Sequence, residues 1–80
     1  MTRPLYESSP EAAARIIARH LGYEGREGGW IYDRHGRPVV QGYRGLANRY
    51  SRAIVARKVT DPRTGATVTR YAIAWSVVPR

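Results

Sequence analysis

The sequence predicts a small α+β domain in which one N-terminal helix packs on a four-stranded antiparallel sheet, made of two β-hairpins with a short helical turn between them. Apolar residues recur with helical spacing most clearly at residues 10–21, and two turn-forming stretches, RHGRP and DPRTG, each separate β-branched runs. The 80 residues are expected to form a single domain, because so short a chain supports only one small core. Residues 1–7 are expected to be a flexible arm.

The helix is predicted over residues 10–21. Ser9 is a candidate N-cap, because the proline that follows it takes the first helical position, where a missing N–H costs nothing. Ser8 is the alternative N-cap, with Glu11 completing a capping box. Gly22 suits the left-handed conformation that ends many helices. The apolar positions with helical spacing are Ala13, Ile16, Ile17 and Leu21.

The first hairpin is expected over residues 29–43. WIYD forms its first strand, RHGRP the turn and VVQGY the return strand. Gly36 can supply a positive φ in the turn. Because side chains alternate along a strand, Trp30 and Tyr32 are expected on one face and Ile31 on the other.

The second hairpin is expected over residues 52–78. The stretch RGLANRYSRAIVARKV before its turn is compatible with a helix or a strand. We expect a helical turn near residues 45–50 and then a strand from about 52 to 60, because the DPRTG turn needs a strand in front of it. The last strand is expected to place four large side chains under the helix, with a stacking surface for bases as the alternative: Tyr71, Ile73, Trp75 and Val77.

Positive charge is concentrated in the middle of the chain. The formal net charge is +8, and residues 34–60 hold seven cations and no acid, whereas residues 1–33 hold four arginines and five acids. Such asymmetry predicts contact with a polyanion. The alternative is an arginine bias inherited from a GC-rich genome, with the arginines forming an ordinary solvated face.

Arginine and tyrosine together suit nucleic acid, because arginine binds phosphate bidentately and both side chains stack on bases. This composition fits single-stranded nucleic acid as well as the backbone of a duplex, and DNA as well as RNA. Tyr43 and Tyr50 have a competing interpretation as core residues. The predicted nucleic-acid-binding residues are Tyr43, Arg44, Arg49, Tyr50, Arg52, Arg57 and Lys58.

The second hypothesis is an accessory protein of a phage or mobile element, which inhibits or adapts a nucleic-acid-handling protein complex by binding an acidic surface of it. Exposed aromatic residues would then be the anchors, because tryptophan, tyrosine and arginine dominate binding hot spots. A third hypothesis is a structural subunit that self-assembles, for example as a homodimer, through the open edge of the last strand. The residues predicted for protein binding are Trp30, Tyr32, Arg34 and Arg37.

The sequence gives no support for catalysis, a metal or a cofactor. There is no cysteine, which excludes disulfides and thiolate sites. His20 is expected at the helix end or the edge of the core, and His35 in a solvated turn that gives it no orienting partner. The cluster of Glu24, Glu27, Asp33 and His35 has no recognised ligand spacing. The protein is therefore expected to be non-enzymatic. No apolar run approaches the length of a membrane span and the N-terminus lacks the apolar region of a signal peptide, so it is expected to be cytoplasmic.

Overall fold

The computed structural model describes residues 6–79, so most of the predicted arm at residues 1–7 lies outside the described residues. The fold is α+β, with two helices and two antiparallel sheets. The first sheet has three strands and the second has two, so the predicted four-stranded sheet is wrong. The elements are α1 (Pro10–Leu21), β1 (Glu24–Gly25), β2 (Trp30–Tyr32), β3 (Pro38–Gln41), α2 (Gly42–Arg49), β4 (Ile54–Thr60) and β5 (Thr67–Ile73).

Local sequence explains both ends of α1. Ser9 is extended, and its hydroxyl accepts a hydrogen bond from the N–H of Ala12 at 3.1 Å, so Ser9 and not Ser8 is the N-cap. Gly22 ends the helix with φ at 78°. The helix therefore spans the residues that the sequence predicts.

The predicted helical turn near residues 45–50 is instead the eight-residue helix α2, and this helix is why the sheet divides. Leu46 and Ala47 are buried against Ala14 and Ala18 of α1. The small alanine side chains let the two helices approach closely. Because α2 lies between β3 and β4 in the chain and packs on α1, the two hairpins form separate sheets.

The three-stranded sheet completes the first half of the core. Ile31 is 1% exposed and joins the cluster between α1 and α2, whereas Trp30 and Tyr32 lie on the opposite face of β2, as alternation predicts. The short β1 pairs with β2 on the side away from β3, and it has no counterpart in the predicted hairpin.

The second hairpin forms where the DPRTG turn predicts it, but its strands are shorter than residues 52–78. The strands β4 and β5 pair from Ile54 with Ile73 at the base to Thr60 with Thr67 near the tip. A short 3₁₀ turn, Ser51–Ala53, precedes β4. At the tip, Gly65 has φ of 74°, and its N–H donates to the Asp61 carbonyl oxygen at 2.7 Å.

The last strand ends earlier than predicted. After Ile73 the chain forms a 3₁₀ turn, Trp75–Val77, which returns Val78 to the core. Trp75 and Val77 are 46% and 55% exposed, so the predicted row of four side chains under the helix is wrong beyond Ile73. The core here consists of Ile17, Ala53 and Val78, with Ile54 and Ile73 packed against them.

The β4–β5 hairpin projects from this core. No residue from 55 to 72 is fully buried, and the extents of the molecule are 44 × 25 × 22 Å. The radius of gyration is 13.9 Å, against about 12 Å for a compact domain of this length. The hairpin is therefore attached to the core at its base and exposed to solvent along most of its length.

The outer edge of β5 is not entirely open. Glu7 pairs with Tyr71 through two backbone hydrogen bonds, from Glu7 N to Tyr71 O at 2.8 Å and from Tyr71 N to Glu7 O at 2.9 Å. Glu7 thus belongs to the folded part and not to the predicted arm. Because a backbone segment already occupies part of this edge, pairing with another copy there is less favourable than the sequence suggests. A homodimer stays a prediction.

Candidate functional site

The two predicted arginines of α2 are exposed, but they lie on different flanks of the helix. Leu46 and Ala47 mark the buried side, and Arg44 and Arg49 are five residues apart, which separates them by roughly 140° around the helix axis. The helix therefore presents two separate arginines, one toward each side of its solvent face. Arg52 follows in the 3₁₀ turn before β4 and is also exposed.

The two predicted stacking tyrosines are both part of the packed structure. Tyr43 packs against the core between α1 and α2, and the guanidinium carbon of Arg15 lies 4.4 Å from its ring centroid. Tyr50 packs against both core clusters, and its hydroxyl lies 2.9 Å from the Tyr23 hydroxyl. The structure thus favours the core interpretation for both tyrosines.

Burial has a direct consequence for the Tyr23 hydroxyl. It raises the pKa of Tyr23 to about 12, with a further contribution from the hydrogen bond to Tyr50. Because one of the two hydroxyls donates this hydrogen bond to the other, the pair has a structural role at the helix ends.

Arg57 and Lys58 are adjacent on β4, so they point to opposite faces of the hairpin. Arg57 lies directly opposite Arg70 of β5. Lys58 lies opposite Thr69, and its Nζ donates a hydrogen bond to the Thr69 Oγ1 at 3.0 Å. The two faces of the hairpin therefore carry different pairs, two arginines on one and a lysine hydrogen-bonded to a threonine on the other.

Arg63 and Arg70 were missed as candidate residues, although they belong to the same basic hairpin. Arg63 lies in the tip loop, and Arg70 is half-buried beside Arg57. The position of Arg70 could have been found by counting outward from the DPRTG turn on both strands. We call the four cations of the hairpin the hairpin cations: Arg57, Lys58, Arg63 and Arg70.

The hairpin cations are not neutralised by neighbouring acids. Within residues 6–79 the structure has one ion pair, between Arg26 Nε and Glu24 Oε1 at 3.5 Å, and it lies in the first sheet. Asp61 is the one acid of the hairpin, and its carboxylate accepts a hydrogen bond from the backbone N–H of Arg63 at 2.9 Å. The exposed positive charge of the hairpin thus faces solvent.

The residues predicted for protein binding lie around the first hairpin. Trp30 is 41% exposed, and Tyr32 is half-buried with the guanidinium carbon of Arg26 lying 4.3 Å from its ring centroid. Arg34 and Arg37 are exposed in the turn after β2. One exposed tryptophan and two exposed turn arginines thus lie on the same hairpin.

Asp33 holds the turn that follows β2. Its Oδ1 accepts hydrogen bonds from the backbone N–H of His35 at 2.8 Å and from that of Arg37 at 3.0 Å. The hydrogen bond from Arg37, followed by the one from His35, lowers the pKa of Asp33. Asp33 thus has a local structural role, and His35 lies exposed in the turn, as predicted.

A second exposed aromatic residue lies at the end of α1. The His20 and Trp75 rings are 4.8 Å apart between centroids in an edge-to-face arrangement. With Ser76 and Val78 they line a shallow open groove. Trp75 thus contacts the C-terminal turn of α1 from outside the core.

Metal-ligating side chains do not converge in the described part of the chain: residues 6–79 contain no group of three or more His, Asp or Glu residues placed to hold an ion. Over the same residues, no helix has the length and apolar character needed to cross a membrane. Comparison with known proteins finds no match among family models, curated proteins or solved structures.

Proposed function

We propose that this protein is a non-enzymatic binding protein that engages nucleic acid through the β4–β5 hairpin and the exposed arginines that precede it in the chain. The observation that carries the proposal is a projecting hairpin with four cations and one acid, none of which forms an ion pair within residues 6–79. The preceding arginines are Arg44, Arg49 and Arg52.

The cost of concentrating this charge argues for a polyanionic partner. Like charges held near one another repel, and a hairpin that is exposed on both faces has no need of arginine for its own packing. A backbone of phosphates relieves that repulsion and releases counterions, which gives a sequence-independent binding energy. A two-stranded ribbon is also a shape that nucleic-acid grooves accept.

The proposed role needs no catalytic group. His20 packs against Trp75, and His35 lies in a turn organised by Asp33. Within residues 6–79 neither imidazole is hydrogen-bonded to a carboxylate or hydroxyl, the kind of partner that general acid–base catalysis uses. The contacts expected from the exposed cations are to phosphate, with affinity dominated by charge.

The test is binding of the purified protein to fluorescent DNA and RNA oligonucleotides, single-stranded and duplex, measured by anisotropy at low salt and at about 150 mM salt. Micromolar or tighter binding at the higher salt, weakened by R49A/R52A and by R57A/K58A, is the expected result. R34A/R37A is the matched control, because it also removes two charges but from exposed arginines in the turn of the first hairpin. Equal loss in the control would indicate that total charge alone determines binding.

A second candidate function is supported by Trp30. A tryptophan that is 41% exposed beside an arginine-covered tyrosine resembles the aromatic anchors of protein interfaces. In this case the protein binds an acidic surface of a nucleic-acid-handling protein, with Arg34 and Arg37 contributing to association. W30A and R34A would then abolish binding to that protein partner, while R57A/K58A would leave this binding intact.

A further inference from the structure

We propose that Arg57 and Arg70 act as one phosphate-binding pair, with which the hairpin holds the backbone of double-helical nucleic acid. The inference rests on the proposed function and deepens it, because it names the form of nucleic acid and a specific contact. Arg70 was not among the residues that the sequence predicts for binding.

The register of the hairpin brings the two arginines together. Arg57 and Arg70 are direct cross-strand partners, and such partners point to the same face with Cβ atoms about 4.5–5.5 Å apart. Their neighbours on that face are apolar, so no polar side chain of the ladder separates the two guanidinium groups. These neighbours are Val55, Val59, Val68 and Ala72.

A like-charged pair in this position destabilises an isolated hairpin. No carboxylate within residues 6–79 lies within ion-pair distance of either arginine. Asp61 lines the same groove as Arg70, but its carboxylate is engaged by the Arg63 backbone N–H. The pair is therefore a site where a single anion, bound between two guanidinium groups, relieves a repulsion that the protein itself leaves uncompensated.

Arg70 is partly held in place before any ligand arrives. Its Nη1 donates a hydrogen bond to the Thr69 carbonyl oxygen at 3.0 Å, and the residue is half-buried. Restricting one of the two arginines lowers the entropy cost of binding. The remaining N–H groups of the two guanidinium groups can each contact one of the two non-bridging oxygens of a phosphodiester.

The rest of the hairpin favours a duplex over a single strand. Its cations occupy both faces and the tip, with Lys58 on the face opposite Arg57 and Arg63 in the tip loop. A ribbon that lies in a groove meets phosphates on both sides, whereas single-strand binding relies on rows of aromatic residues that stack on successive bases. The aromatic residue within the strands, Tyr71, is half-buried and lies on the face of Lys58.

The groove beside the Arg57–Arg70 pair contains one uncharged aromatic side chain, that of Tyr6. Tyr6 is 40% exposed and lines the groove with Arg70, next to the Glu7–Tyr71 pairing. One tyrosine makes no stacking row, but its hydroxyl can donate a further hydrogen bond to an oxygen of the nucleic-acid backbone. The chain therefore presents an arginine pair bordered by a phenol, which suits phosphate rather than a flat stack of bases.

The experiment is a double-mutant cycle on the full chain, with R57T, R70T and the double variant, titrated against a 20-bp duplex and against its single strands. Threonine is chosen because it favours strands and reproduces the cation–threonine pairing that Lys58 and Thr69 form on the other face. If both arginines hold one phosphate, each single variant should weaken duplex binding about tenfold, and the double variant should weaken it little further. The salt slope should fall by about one in all three variants.

The matched control cycle combines R57T with K58T. These neighbours point to opposite faces and contact different phosphates, so their effects should multiply and the salt slope should fall by about two in the double variant. Far-ultraviolet circular dichroism of every variant verifies that the hairpin persists. R57K, which keeps the charge and loses the forked donor geometry, should retain part of the binding if folding is intact.

The outcomes separate the inference from the function on which it rests. Absence of binding to every oligonucleotide at about 150 mM salt would overturn the proposed function. Binding that is equally tight for single strands, or independent effects of R57T and R70T, would overturn the inference alone. Inorganic phosphate is the control for a small-anion site, and saturation below millimolar concentration that R57T abolishes would overturn the assignment to a polymer backbone.

Discussion

The hydroxyls of Tyr23 and Tyr50 lie 2.9 Å apart and share one hydrogen bond. Tyr23 follows α1 and Tyr50 follows α2, so this bond joins the C-terminal ends of the two helices. Tyr50 also packs against both core clusters, and its carbonyl oxygen accepts the N–H of Ala53 at 2.9 Å, which begins the path into β4. The tyrosine pair therefore helps to fix the base of the projecting hairpin relative to the core.

Removing either hydroxyl should lower the free energy of unfolding. We expect Y23F and Y50F each to cost about 0.5–1.5 kcal/mol, the usual net value of a partly buried hydrogen bond. Because both variants remove the same bond, the double variant should cost little more than either one. Chemical denaturation measures the three values, with Y6F at an exposed tyrosine as the control. Additive losses would show that the two hydroxyls act independently.

The Tyr23 hydroxyl should also make stability depend on alkaline pH. Burial and the bond to Tyr50 raise the pKa of Tyr23 to about 12 in the folded state, from 10.0 for an unperturbed tyrosine. The unfolded chain then loses this proton first, so the stability contribution is complete below pH 10 and is lost as pH rises toward 12. Denaturation curves across this range should show that the free energy of unfolding declines with rising pH, and that this decline is shallower in Y23F. A decline of equal slope in Y23F would assign the effect to other groups.

Leu46 should be the most sensitive position of α2. Its side chain is fully buried between the helices and the first sheet, so L46A should cost about 2–5 kcal/mol from lost burial and the cavity left behind. For a chain of this size such a loss is close to the whole stability. V77A, at a residue that is 55% exposed, is the control and should unfold close to the wild-type midpoint. A small effect of L46A would contradict the central position of α2 in the fold.

Relieving the cross-strand arginine pair should stabilise the protein while it weakens binding. R70T removes the like charge opposite Arg57 and should raise the free energy of unfolding by about 0.2–1 kcal/mol at low salt. The gain should shrink in 1 M salt, where charges are screened. K58T removes a lysine that lies opposite a threonine rather than another cation, so it should give no comparable gain. Thermal denaturation at two salt concentrations measures both, and a loss of stability in R70T would show that Arg70 contributes mainly by packing.

Local chemistry made α1 and the second turn predictable. Ser9, Pro10 and Gly22 define the ends of α1 within the segment itself, and Gly65 supplies the positive φ that the tip loop needs. The length and partners of α2 were not predictable in the same way. Its sequence holds two glycines, which disfavour a helix, and its stability comes from packing Leu46 on α1, a contact distant in sequence.

The division into two sheets follows from the same distant contact. Nothing within β3 or β4 indicates that α2 will separate them, and an antiparallel pairing of the two hairpins satisfies the local pattern equally well. Trp75 is a second position where a local pattern gave the wrong prediction. Its spacing from Ile73 fits a continuing strand, but the chain turns at Ala74, whose N–H donates to the Ala53 carbonyl oxygen at 2.7 Å.

The charge of the candidate site was readable from composition, whereas its geometry was not. Residues 34–60 stand out in the sequence as a block without acids. The pairing of Arg57 with Arg70 requires the register across the tip loop, and Arg70 lies outside that block. Tyr50 fits a stacking role by its neighbours in sequence, but the packing of both helices places it in the core.

The most direct test of nucleic-acid binding is the salt dependence of the affinity for a duplex oligonucleotide, measured by anisotropy between about 50 and 200 mM salt. If the exposed cations contact four to six phosphates, the logarithm of the association constant should fall with the logarithm of salt with a slope of roughly −4 to −5. R57A/K58A should reduce that slope by about two. A slope near zero, or no measurable binding at about 150 mM salt, would contradict nucleic-acid binding through the hairpin.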